Sequence, residues 1–138
     1  MNLTEDYCSF EISKLLKEKG FDWMCNGYYN KDDEYSEPYF GDGEGADNWN
    51  NQAPSVRDLW FSAPTHQMAM KWLREVHGIM IITYVAHFDN LMENYSNSYF
   101  SEMFNLADDL EQMGNTGYYA TYEEAVEAAI KYSLENLI

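Results

Sequence analysis

The chain has 138 residues, with 24 Asp and Glu against 8 Lys and Arg and a formal net charge of -16 at pH 7. That imbalance argues against direct nucleic-acid binding, because contacts to phosphates need clustered Lys and Arg. With 46% hydrophobic and 17% aromatic residues the chain is far too apolar for intrinsic disorder, and its length suits a single domain, expected over 1–138.

Met1-Asn2-Leu3-Thr4-Glu5-Asp6 has neither a basic nor an apolar leader region, and no apolar run approaches a membrane span, so a cytoplasmic protein without membrane contact is expected. Cys8 and Cys25 then read as free thiols acting as small buried hydrophobes.

Helix α1 is announced by Ser9 as N-cap, Ile12, Leu15 and Leu16 at helical spacing, and Gly20 as terminator, with Phe21 folding back onto Leu16. Trp23 to Tyr29 predicts a strand. The segment from Lys31 to Gln52 interleaves Asp32, Asp33, Glu34, Glu37, Asp42, Glu44 and Asp47 with Gly41, Gly43, Gly45 and Pro38, and it predicts a long solvated loop rather than an element. Arg57 to Ser62 predicts a second strand. Thr65 caps the next helix, whose stripe of Met68, Ala69, Trp72, Leu73 and Val76 ends at Gly78 with Ile79 as its hydrophobic partner.

Ile79 to Phe88 is apolar on both alternating faces, the signature of a central strand covered on both sides. Tyr99 to Leu106 alternates Phe100, Glu102, Phe104 and Leu106 as a strand does, although Met103, Leu106, Ala107 and Leu110 also fit a helix. Thr121 and Glu124 form a capping box that opens a final helix running to the C-terminus through Ala125, Val126, Ala129, Ile130, Ser133 and Leu137. The predicted class is α+β in the order α-β-β-α-β-β-α. Two ββα units, whose echo at an offset of 56 residues between Thr65 and Thr121 reads either as duplication or as chance similarity of two capped helices, would build one four-stranded, mainly antiparallel sheet packed with three helices.

The run Ser62-Ala63-Pro64-Thr65 leading to Lys71-Trp72-Leu73-Arg74-Glu75-Val76-His77-Gly78-Ile79, with the closing Tyr122-Glu123-Glu124-Ala125-Val126-Glu127-Ala128-Ala129-Ile130, resembles small uncharacterised proteins of Bacteroidetes genomes, phages and prophages. The likeness spans the first helix and everything after about Trp60. It implies a mobile-element setting in a bacterial host cell and no particular activity.

Chemical motifs are scarce. No register of Asp32 to Asp47 places acids and Gly as an EF-hand requires, which leaves Asp42, Glu44 and Asp47 as no more than an adventitious cation site. The cysteines lack C-x-x-C spacing, and His66 and His77 lie about 16 Å apart along one helix, so neither they nor His87 suggest zinc. His77, at a helix C-terminus, suits the dipole as a partly charged imidazole. There is no G-x-S-x-G, nucleophilic Cys context or phosphate-binding Gly loop, and neither Asp108 with Asp109 nor Asp32 with Asp33 forms an acid/base pair. No catalytic residue, metal or cofactor is expected.

Aromatics remain: Tyr28, Tyr29, Tyr35, Tyr39, Phe40 and Trp49 cluster in and around the acidic loop. Asp32, Asp33, Glu34, Tyr35, Glu37, Tyr39, Asp42, Glu44, Asp47 and Trp49 are therefore the candidate binding residues. They suit a non-enzymatic interaction protein whose acidic, aromatic surface docks on a basic host or phage protein, and in the sharper form a DNA mimic whose carboxylates stand in for phosphates. The alternatives are a small-ligand or metal-dependent enzyme with a pocket between sheet and loop, and a homo-oligomer that buries the aromatic surface against itself. Oligomeric state is left open between monomer and small homo-oligomer.

Overall fold

The computed structural model describes residues 6–32, 37–41, 45–89 and 95–138. It is α+β, with three helices and two three-stranded antiparallel sheets in place of the single four-stranded sheet expected from the sequence. Packing divides the chain into two compact units, Met1–Ala69 and Met70–Ile138.

The first unit begins with α1 (Phe10–Glu18). Ser9 Oγ accepts from Ile12 N at 3.3 Å, as the sequence predicts. At the other end Gly20, at φ +90°, allows Phe21 N to reach Leu16 O at 2.9 Å and Gly20 N to reach Lys17 O at 3.1 Å, the paired bonds of a Schellman terminus. Three strands follow: β1 (Gly27–Asn30), β2 (Tyr39–Phe40) and β3 (Trp60–Ala63), in the order β2-β1-β3. The acidic segment is thus not all loop, since it supplies β2.

Alternation sorts this sheet into two faces. Gly27 and Tyr29 pair with Ala63 and Phe61 and turn toward α1, where Phe10 meets Tyr29 and Phe61 edge-on at 5.6 and 5.4 Å. Tyr29 Oη donates to Cys8 O at 2.8 Å, and Cys8 N donates to Pro64 O at 2.9 Å, tying the chain before α1 to β1 and β3. Lys17 donates to Trp60 O at 2.8 Å and to Arg57 O, and lies over the Phe61 ring at 4.8 Å. Burial, together with Arg57, lowers its pKa from the ordinary lysine value, and Asp58 partly offsets them.

The boundary between units falls inside α2 (His66–His77). Thr65 Oγ1 accepts from Met68 N at 3.2 Å at its start, and Gly78, at φ +68°, ends it. The second unit contains β4 (Ile79–Asp89), β5 (Tyr95–Asn105) and β6 (Glu111–Asn115), in the order β4-β5-β6, followed by α3 (Tyr122–Asn136). Thr121 Oγ1 caps α3 by accepting from Glu124 N at 3.1 Å.

On one face of this sheet Ile79, Ile81 and Met103 are buried in the core with Val126, Ala129, Ile130 and Leu134 of α3. Ser101, wholly buried, donates from Oγ to Ala125 O at 3.1 Å and so accepts from Thr83 Oγ1 at 2.7 Å, which fastens the first turn of α3 to β4 and β5. The opposite face carries Met80, Ile82, Tyr84, Phe100 and Phe104, with Tyr84 and Phe100 stacked at 5.2 Å.

Strand β5 confirms the alternating pattern of Tyr99 to Leu106 over the helical alternative, but β4 is an edge strand rather than a central one. Strand β6 went unforeseen. The turn before it holds Asp109 and Leu110 at positive φ, so Asp108 and Asp109 sit in neither a helix nor a strand. The two capped helices each follow a three-stranded sheet, yet the first strand is central in one sheet and the second strand in the other. The sequence echo around Thr65 and Thr121 therefore reflects similar helix starts rather than matching sheet topologies.

Candidate functional site

The face of the first sheet turned away from α1 gathers four aromatic rings. Tyr28 projects there from β1, Tyr39 from its β2 partner position, and Trp60 from the position opposite Asn30. Trp49 arrives from the following loop and stacks on Tyr28 at 4.2 Å. Trp60 meets Tyr28 at 6.3 Å and Trp49 at 6.1 Å, both edge-on, and Tyr39 lies 5.7 Å from Tyr28. Tyr39 is 44% exposed, whereas Tyr28, Trp49 and Trp60 are half-buried. The rings touch one another and form a shelf rather than a cage.

Polar bonds hold the shelf in place. Cys25 and Asp47 exchange backbone hydrogen bonds at 3.0 and 3.1 Å, and Trp49 Nε1 donates to Cys25 O at 2.8 Å. Asn50 Nδ2 donates to Phe21 O at 2.9 Å while its Oδ1 accepts from Ser62 N at 2.8 Å, and its own amide donates to Ser62 Oγ at 3.2 Å. Because β3 is an edge strand, Asn50 also caps an amide that no strand would satisfy. Gln52 Nε2 closes the turn on Asn48 O at 2.7 Å.

Of the residues singled out from sequence, Tyr39 and Trp49 come together on the shelf. Asp32, Glu37 and Asp47 are exposed, two residues after β1, two before β2 and two before Trp49 respectively. Asp33, Glu34, Tyr35, Asp42 and Glu44 lie outside the described residues. Tyr29 turns to the α1 side, and Phe40 packs edge-on against Tyr7 at 4.9 Å. Trp60 was missed. Its signal was period-two spacing with Ser62 on a strand that already carried Phe61.

Burial pushes the Cys25 thiol up to about 11, against weaker opposing hydrogen bonds from Ser62, Ala63 and Gly27, so the thiol stays protonated and inert. Cys8 is likewise buried and unbridged. In the second unit the His77 ring packs edge-on against Trp72 at 4.7 Å, and burial lowers its pKa from the ordinary histidine value. Among the described residues no three His, Cys, Asp or Glu are grouped to hold a metal ion, and no helix is long and apolar enough to cross a membrane. Comparison with family models, with curated proteins and with solved structures finds no match to this chain.

Proposed function

We propose that this protein is a non-enzymatic interaction module that docks a basic host or phage protein on the shelf of Tyr28, Tyr39, Trp49 and Trp60. The observation that carries the reading is that four rings share one sheet face in a chain of net charge -16, with exposed Asp32, Glu37 and Asp47 close to them in sequence. Tyr and Trp bury large area at small entropic cost, and the negative field raises the encounter rate with a positive surface. A mobile-element setting in the cytoplasm of a bacterial host fits such a role.

The test is capture from the natural host on immobilised chain, eluted at graded salt, beside Tyr39→Ala and Glu37→Lys. One basic protein should be retained, should elute as salt rises, and should be lost from both variants. Equal retention by the parent and both variants removes the shelf from the interaction. Duplex DNA added as a competitor tests the sharper form: a mimic is displaced from its partner by DNA, and an ordinary docking surface is not.

A further inference from the structure

The free strand edges of the two sheets are protected unequally. In the first sheet β2 is only two residues long, and β3 has Asn50 bonded to its outward amide at Ser62. In the second, β6 spans five residues, begins with the charged Glu111, and follows a register shift beside Met103 and Phe104. Short strands, charges, bulges and covering side chains are the usual means of blocking edge pairing. Strand β4 is long, shows no bulge among the described residues, and has its one charge, Asp89, at its last position. It runs 11 residues, pairs only with β5 among the described residues, and carries no Asp, Glu, Lys, Arg or Pro from Ile79 through Phe88. Two apolar residues midway along it, on opposite faces, are open to solvent: Tyr84 is 37% exposed and Val85 61%.

We infer that β4 is a self-association edge, on which β4 of a second copy pairs antiparallel to give one continuous six-stranded sheet across a two-fold axis. Charge selects the occupant. A basic partner gains most where acids are dense, whereas a second copy at -16 meets the fewest like charges along an uncharged stretch, and β4 offers ten such residues in a row. An antiparallel strand pair is self-complementary, so one surface serves both copies. Repulsion between the two bodies is screened by salt, so the dimer tightens as salt rises. That dependence is opposite in sign to the one expected for docking on the aromatic shelf.

The experiment is sedimentation equilibrium of the full chain at low and at high salt, with Val85→Lys and Tyr84→Lys as variants and hydrogen exchange on the parent. A species of twice the 16.2 kDa chain mass is expected, favoured by salt. Each variant should weaken it by about tenfold or more while circular dichroism is unchanged. Alternate β4 amides, those pointing away from β5, should be protected in the parent and lose protection on dilution; this arm stands even if a variant fails to fold. A parent that stays monomeric at high salt overturns the inference, as does a dimer whose outward β4 amides exchange freely.

Discussion

Replacing Asn50 isolates what fixes the shelf. N50A removes the bond to Phe21 O at 2.9 Å and the bond from Ser62 N at 2.8 Å. A side-chain hydrogen bond contributes roughly 1 kcal/mol net, and a buried amide left unpaired costs about 1–3 kcal/mol. Ser62 is wholly buried on an edge strand, so its amide falls in the second class. The two terms together put N50A at roughly 2–4 kcal/mol less stable than the parent. N50D separates them. Its new carboxyl still accepts from Ser62 N but turns an oxygen, in place of an NH2 group, toward Phe21 O. That contact favours the protonated acid, raising the folded-state pKa above the unfolded one. Stability of N50D relative to the parent is therefore greatest below the unfolded carboxyl pKa and is lost as pH rises through the folded one. Urea titrations followed by Trp fluorescence, at acid and neutral pH, measure both. An N50A variant within about 0.5 kcal/mol of the parent, or an N50D deficit that does not shrink on acidification, refutes the assignment of these bonds.

Four further outcomes are expected. Gly27→Ala places its Cβ 2.7 Å from Ala63 O and 3.2 Å from the Tyr7 ring, and an overpacking cost of about 1–3 kcal/mol should appear in thermal melts. In a Cys8→Ala background, native Cys25 should react with iodoacetamide at pH 8 at least about 100-fold more slowly than in the urea-unfolded chain, since the thiol is pushed up to about 11 from 9.0. Among the described residues Ser13 Oγ is buried without a partner, so Ser13→Ala should leave stability unchanged or raise it by up to about 1 kcal/mol in the same melts. His77 has its pKa lowered by burial, so the parent loses stability as pH falls through the ordinary histidine value, and His77→Phe should flatten that limb of the stability curve.

Helix ends were legible because capping is local. Ser9, Gly20, Thr65, Gly78 and Thr121 act on amides and carbonyls within five residues of themselves, and each does so in the structure. Strands β4 and β5 were legible because their alternation, or doubly apolar pattern, extends over many residues. Sheet membership was not, because pairing is decided between distant segments: β1 takes Tyr39 on one side and Trp60 on the other, and no local feature near Tyr28 distinguishes those partners. Strand β6, Glu-Gln-Met-Gly-Asn, has poor β-propensity and exists through its neighbour β5 and through Gly114, where a Cβ would lie 2.7 Å from the Tyr132 ring. At the site, sequence proximity found Tyr28, Tyr39 and Trp49 but also drew in Tyr29 and Phe40, which a one-residue step sends to the other face.

The same arithmetic of faces explains why an acidic chain can keep so many aromatics near its surface. Each ring of the shelf is stacked on or abutted by another, so much of its apolar area is covered before any partner arrives, and the exposed Asp32, Glu37 and Asp47 lie close to the rings in sequence. Under the proposed docking role, such acids favour a partner that brings compensating positive charge over one that brings only apolar area. Strand β4 differs in running ten residues without a charge, with exposed Tyr84 and Val85 on opposite faces. Ionic strength should therefore separate the two surfaces: a complex that weakens with salt belongs to the shelf, and one that strengthens belongs to β4.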